Sequence, residues 1–264
     1  MIRLEQDGAV AVITLDRPRR RNALDATTKT ALRAALEKVS AATSVRAVLL
    51  TGAGGSFCGG QDLAEHAETL RPGTAETHTL AAARAFATVE ADYAPIVTAL
   101  LTMPKPVVAA VEGTCVGAGL ALALACDLRV FADDAVLATA FTAIGLTCDT
   151  GLSLTLTRSV GETRAKELIL LGESFTPAQA VGWGMAGRVV KAAETLHTAT
   201  QLAQRMAQGP TLAYAESKRL IGSSALATIL HDEALAQTRL GATADHRQAV
   251  EAFLARRRPL FEGH

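Results

Sequence analysis

Ala47-Val-Leu-Leu-Thr-Gly-Ala-Gly-Gly-Ser-Phe-Cys-Gly-Gly60 joins a short apolar run to a loop crowded with glycine. Lys105-Pro-Val-Val-Ala-Ala-Val-Glu-Gly-Thr-Cys-Val-Gly-Ala-Gly119 repeats that layout further along the chain. Ala47–Thr51 and Val107–Val111 read as buried strands, and helical patterns follow both loops. Strands mixed with helices in this way predict an α/β core. A loop between a strand and a helix leaves backbone N–H groups free at the helix N-terminus. Two such loops facing each other would offer two donors to a carbonyl oxygen gaining negative charge, each worth about 3–4 kcal/mol in the transition state. Glycine suits both loops because a side chain would block close approach of a ligand.

Outward from these loops the pattern stays regular. Ile2–Glu5 and Val10–Leu15 flank Asp7-Gly8, a hairpin turn signal. Asp25 caps a predicted helix that runs to about Val39, with Leu32, Leu36 and Val39 at helical spacing. Residues 76–101 are helical in character and stop at Pro104 and Pro106. Leu128–Ala132 and Val136–Thr139 are short strands, and Thr176-Pro177 opens a helix. After Ala192 the pattern is helical almost to the end, with one break at Gly209-Pro210. The expected organisation is a mixed core over residues 1–195 and a helical region over 196–264.

Composition excludes several classes of function. The 264 residues carry 26 Lys+Arg against 26 Asp+Glu, so there is no basic excess for nucleic acid. Hydrophobic residues make up 49%, which predicts a packed core. The four cysteines form no CxxC and have no histidines at zinc-finger spacing, so neither a disulfide framework nor a metal is expected, and a reducing, cytoplasmic setting fits. The charged opening residues resemble neither a signal nor a transit peptide. The apolar stretch from Gly113 to Cys126 falls short of the ~20 residues of a membrane span. Both phosphate fingerprints fail, since a third GxGxxG glycine would fall on Leu122 and Gly60 is followed by Gln61 rather than Lys. No GxSxG elbow is present.

Four segments together carry a resemblance across essentially the whole chain. Phe57-Cys-Gly-Gly-Gln-Asp-Leu63 resembles the FxAGxDL segment of the crotonase (enoyl-CoA hydratase/isomerase) superfamily, and the stretch from Lys105 to Gly119, with Cys126-Asp127, resembles its second signature. Arg17-Pro-Arg-Arg-Arg-Asn-Ala-Leu24 resembles its CoA-binding RPxxxNAL loop, and Ala252-Phe-Leu-Ala-Arg-Arg-Arg-Pro-Leu-Phe261 its AFxEKRxPxF tail. The resemblance implies a spiral of ββα units, a C-terminal helical trimerisation region, a trimer or dimer of trimers, and acyl-CoA thioester substrates. Coenzyme A then arrives as part of the substrate, with no resident cofactor.

Carried over position by position, the oxyanion donors would be the backbone N–H groups of Gln61 and Ala118, the latter following Gly117. Asn22, Ala23 and Leu24 would contact CoA, as would Asp62 and Leu63. Phe253 and Arg256 would reach a neighbouring subunit's CoA. The two glutamates with which hydratases of this family activate water correspond to Ala121 and Phe141, neither of which can move a proton.

One acid remains in the right region. Ala140-Phe-Thr-Ala-Ile-Gly-Leu-Thr-Cys-Asp-Thr-Gly-Leu152 resembles the AFxxIGLxPDxG segment of ring-1,2-epoxyphenylacetyl-CoA isomerases and related Δ3,Δ2-enoyl-CoA isomerases, whose single catalytic Asp corresponds to Asp149. Cys148 stands where those proteins usually have Pro. An apolar setting of Phe141, Ile144, Leu146 and Leu152 would raise the pKa of Asp149 and make it a better base. The plain alternative for Asp149 is a helix N-cap. A 4-chlorobenzoyl-CoA dehalogenase also places an Asp here, but it needs a histidine that the stretch Asp92–Leu101 lacks and a Trp at the Phe141 position. A hydratase-like lyase and a CoA-binding scaffold without turnover are the rival functions. His66 and His78 are expected on the solvated surface, Cys58, Cys115 and Cys126 in the interior, and Glu112 in a structural role.

Overall fold

The computed structural model describes residues 1–71, 77–185, 187–221 and 226–259. β1 (Ile2–Asp7) and β2 (Val10–Leu15) form the predicted antiparallel hairpin, with Gly8 at φ +57° in the turn. α1 (Ala26–Ala41) starts where Asp25 accepts a hydrogen bond from Thr28 N at 2.7 Å, as its spacing predicted. β3 (Ala47–Gly52) follows, then α2 (Leu63–Thr69), α3 (His78–Thr88) and α4 (Ala94–Thr102). β4 (Val107–Val111) and β5 (Thr114–Val116) lead into α5 (Ala118–Ala125). β6 (Leu128–Ala132) and β7 (Val136–Ala138) precede α6 (Leu152–Leu171) and α7 (Pro177–Gly182). After β8 (Arg188–Val190) the described elements are α8 (Thr195–Gln208), α9 (Thr211–Ile221), α10 (Leu226–Gly241) and α11 (Ala244–Leu254).

The strands form two layers, and chain order explains them. The large sheet runs β1-β2-β3-β4-β6-β8, parallel after the first hairpin. The small layer holds the parallel pair β5-β7, extended by single bridges Leu24↔Gln61, Cys58↔Cys115 and Leu137↔Phe175. Each turn of the chain thus gives one strand to the large sheet and one extended segment to the small layer before a helix follows. This is the expected ββα spiral. The second glycine loop is accordingly not all loop, since residues 114–116 are β5.

Strand alternation decides which side chains face the site. Val48 and Leu50 of β3, with Val107, Ala109 and Val111 of β4, face the main core. Ala47 and Leu49, with Val108 and Ala110, face a second core closed by Ala199, Leu202 and Ala203 of α8. Burial on both faces is why these strands read as continuous apolar runs. Among the other C-terminal helices, α10 packs against α3, and α11 against α2 and the turn at residues 142–144.

The stretch expected to be helical over residues 76–101, of which Glu76 lies outside the described residues, carries an unpredicted break. Val89–Tyr93 widens into a π-helical turn, in which Ala94 N bonds to Val89 O. Pro95 follows at once. It has no N–H to continue the α-helical ladder, and its ring crowds the carbonyl of Ala91. That carbonyl instead accepts from Arg33 Nη1 at 3.5 Å. The wider turn brings both Val89 and Tyr93 to the wall of the cavity described next.

Candidate active site

The two glycine loops are joined backbone to backbone. Phe57 N donates to Glu112 O at 2.7 Å, Cys58 N to Thr114 O at 2.9 Å and Val116 N to Cys58 O at 3.0 Å. This contact is why glycine is required. A Cβ on Gly119 would lie 2.3 Å from Cys58 O, and one on Gly113 would lie 2.1 Å from Gly55 O. A Cβ on Gly60 would fall 2.9 Å from Val116 O and 3.5 Å from Ala118 N, which shows how closely the loop tips approach.

Two backbone donors remain free at those tips. Leu24 N donates to Gly60 O and Asp62 N to Leu24 O, so the Gln61 amide faces away from that bridge. Ala118 N opens α5 after Gly117, whose φ is +58°. Neither amide has a protein acceptor among the described residues. The Ala118 amide is free because it begins a helix, as the loop layout predicted. The Gln61 amide is not a helix-end donor, because Asp62 caps α2 and Gln61 precedes the cap.

Both donors line a cavity of about 360 Å³ with a largely apolar wall. Gln61, Leu63, Gly117, Ala118, Phe141 and Asp149, all singled out from the sequence, meet there. Ile144 and Leu146 also line it. Leu152 is buried nearby but is not part of the wall, and Ala121 is buried in α5, likewise off the wall.

Asp149 is 7% exposed. Thr150 Oγ1 donates to its Oδ1 at 2.6 Å, and Gln237 Nε2 to its Oδ2 at 2.7 Å. Burial holds its carboxyl above the ordinary value, against the downward pull of those two bonds and of the Lys29 charge. Asp149 is not the N-cap of α6, since Gly151 occupies that position with φ +72°. The free amides at that helix start are taken by Glu233 of α10, which accepts from Gly151 N at 2.7 Å and Ser153 N at 3.0 Å.

The sequence left Gln61's side chain unread. Its Oε1 accepts from Tyr93 OH at 2.6 Å and from Lys29 Nζ at 3.2 Å. Lys29 is 3% exposed, lies 5.0 Å from the Tyr93 ring centroid, and pairs with Asp92 at 3.8 Å. Burial lowers its pKa, and the surrounding carboxylates oppose the shift. The donor loop is therefore braced from behind by a buried cation on α1. The residue two positions before Pro95 supplies the phenol, so that proline is the signal that could have found it.

The other expected binding positions serve the loops. Asn22 is buried, donates to Ala53 O and Ser56 O, accepts from Arg17 N, and does not line the cavity. Leu24 is buried in the bridge to Gln61, and Ala23 O accepts from Arg17. Asp62 caps α2 and pairs with Arg17 at 3.0 Å. Phe253 lies at the cavity wall, 56% exposed. Arg256 does not, and the neighbouring Arg257 and Pro259 do. Leu260 and Phe261 of the tail motif lie outside the described residues.

His66 corrects a sequence expectation. It is 5% exposed rather than solvated, because α2 turns it under α11 against Phe86 and His246. His78 is exposed as expected, and Cys58, Cys115 and Cys126 are buried. Glu112 does not line the cavity. Among the described residues no cluster of three potential metal ligands occurs, and no helix is long and apolar enough to cross a membrane.

A family profile described as Enoyl-CoA hydratase/isomerase matches residues 5–264. The 1,2-epoxyphenylacetyl-CoA isomerase of Escherichia coli K12 is 38% identical over 257 residues, covering 96% of this chain and 95% of the relative. The 2,3-dehydroadipyl-CoA hydratase of the same organism is 34% identical over 258 residues, covering 96% and 95%. The crystal structure of an enoyl-CoA hydratase from Mycobacterium avium subsp. paratuberculosis superposes with a TM-score of 0.85 at 29% identity, covering 99% of this chain and 98% of that one. With its ββα spiral, paired glycine loops and a match that runs nearly from end to end, this chain belongs to the enoyl-CoA hydratase/isomerase family.

Proposed function

We propose that the protein is an acyl-CoA isomerase that works through a thioester enolate, with Asp149 as its single proton carrier. The observation that carries this proposal is the make-up of the cavity wall. Asp149 is the one carboxylate among the described wall residues, and the two hydratase glutamate positions hold Ala121 and Phe141. Isomerisation needs one group that removes a proton and returns it, whereas hydration needs water to be activated and delivered as well.

In the proposed mechanism the thioester oxygen sits between the Gln61 and Ala118 amides. Asp149 takes a proton from a carbon of the acyl group. The C–H electron pair moves into the conjugated system and onto the thioester oxygen, where the two N–H groups stabilise it. Asp149 then returns the proton at a different carbon. A double-bond shift and a ring-epoxide rearrangement can both draw on this enolate chemistry. The raised pKa of Asp149 suits a group that must both accept and release a proton.

The substrate's coenzyme A would lie along Asn22–Leu24 and Asp62–Leu63. Phe253 and Arg256 would meet the CoA of a neighbouring subunit in a trimer or dimer of trimers built through residues 196–264. The core over residues 1–195, the cytoplasmic setting and the absence of a resident cofactor belong to the same proposal. The test is direct. Incubation with a 3-enoyl-CoA should raise the absorbance of the conjugated enone, and a 2-enoyl-CoA should not lose it rapidly. Rapid loss would favour the second reading, a hydratase-like lyase, which the name of the dehydroadipyl-CoA relative supports.

A further inference from the structure

Asp149 is held from a helix far along the chain. Gln237, fully buried on α10, donates from Nε2 to Asp149 Oδ2, while Thr150 holds Oδ1. One helical turn earlier, Glu233 holds the backbone of Gly151 and Ser153 and the Ser153 hydroxyl. Residues four apart share a helix face, so α10 grips both the carboxylate and the segment that follows it.

Gln237 also bears an unmet demand. Its Oε1 is buried with no hydrogen-bond partner, the single such side-chain atom among the described residues. Packing alone does not favour a buried amide with one end unsatisfied at the wall of the cavity that Gln237 shares with Asp149. Turning the amide over would set its carbonyl oxygen against a carboxylate oxygen, so an ionised Asp149 forces the donor inward and leaves Oε1 orphaned. We infer that Gln237 is a positioning residue, which fixes the Asp149 carboxylate by binding Oδ2 and leaves its remaining lone pairs to face the cavity. This inference rests on the proposed role of Asp149 as proton carrier.

Four other titratable groups are coupled to Asp149: the Lys29 charge from α1 acts on it, and its own charge acts on Tyr93 from the π-helical turn, Cys148 from its own loop and Glu233 from α10. A change confined to Gln237 leaves all four in place. Gln237→Met keeps length and volume while removing both polar ends. It removes the orphaned acceptor but also the donor to Asp149, so its unfolding temperature should fall below the parent's where Asp149 is ionised and approach it as the pH is lowered and Asp149 takes up its proton. The kcat for 3-enoyl-CoA isomerisation should fall about tenfold with KM little changed. The acidic limb of kcat/KM should move up by about half to one pH unit, because a bond that favoured the carboxylate is lost. Gln237→Glu places a second carboxyl beside Asp149 and should move that limb further in the same direction.

If Gln237→Met loses stability and activity together while the acidic limb stays still, Gln237 is a packing residue and the inference is overturned. Should that variant fail to fold, an unmoved limb in Gln237→Glu overturns it equally. Asp149→Asn, run in the same assay, separates the two layers of argument. A parental rate in that variant removes Asp149 from the chemistry, whereas a collapsed rate beside an unmoved limb in the Gln237 variants removes Gln237 alone.

Discussion

The imidazoles of His66 and His246 meet Nε2 to Nε2 at 3.0 Å across 180 positions of sequence. His246 Nδ1 lies 2.6 Å from Ile144 O, and a carbonyl can only accept. His246 therefore carries its proton on Nδ1 and presents a bare Nε2, to which His66 donates. Both rings are neutral in this arrangement. Burial lowers both pKa values, and that of His66 falls from 6.5 to about 3.

The pair should make the fold acid-sensitive. A histidine whose folded pKa lies below its unfolded value contributes stability that is fully present above the unfolded pKa and is lost as pH falls toward the folded one. For His66 that window runs from 6.5 down toward 3, with a slope of up to about 1.4 kcal/mol per pH unit. Thermal unfolding followed across that range should show a steep drop, and His66→Phe should flatten it. A slope identical to the parent's in His66→Phe would assign the acid sensitivity to other groups.

Asp149→Asn should lower isomerisation by about 10²–10⁴-fold while CoA binding stays nearly intact. The amide can still accept from Thr150 and pack beside Gln237, so the fold should persist. Single-turnover assays paired with calorimetric CoA titration measure the two quantities separately. Weakened CoA binding of the same size would point to a structural role for Asp149.

Glu233 should set a second pH dependence of opposite sign. Burial pushes its carboxyl from 4.5 up to about 7, against the pull of its hydrogen bonds to Gly151 and Ser153. The folded protein keeps this proton longer than the unfolded chain does. The associated stability is thus present below 4.5 and lost as pH rises through 7. Glu233→Gln cannot ionise, so its urea midpoint should gain on the parent's between those limits. A constant difference between the two proteins at every pH would rule this out.

Gly119→Ala should damage the site through backbone contact alone. The added Cβ would stand 2.3 Å from Cys58 O and 2.8 Å from Cys58 Cβ, forcing the two loops apart. Gly117→Ala meets only Thr139 O at 3.7 Å, but holds an L-residue at φ +58°. With ψ at −123° the residue lies outside the left-handed α region, and backbone strain there costs about 1–3 kcal/mol. Chemical unfolding and isomerase assays on both variants should show Gly119→Ala to be the worse in each. The reverse order would mean that conformation, and not the clash, limits the loops.

The local pattern of the chain determined β1–β4, β6, β7, α1 and the two glycine loops, but not β5, β8 or the bounds of α2. Buried parallel strands are apolar throughout, and a turn that must approach a neighbour's backbone needs glycine, so both leave their mark in a short window of sequence. Where spacing alone left a helix N-cap equally open, Asp149 was legible through the resemblance of its segment, Ala140–Leu152, to that of the isomerases. Tertiary structure alone decided what holds it. Gln237 reaches Asp149 across 88 positions, and His66 is buried only because α11 folds back over α2. Each of these residues sits on a helix whose own period gives no sign of the distant partner. Hydrogen bonds between remote side chains depend on how the helices pack, and no window of neighbouring residues encodes that.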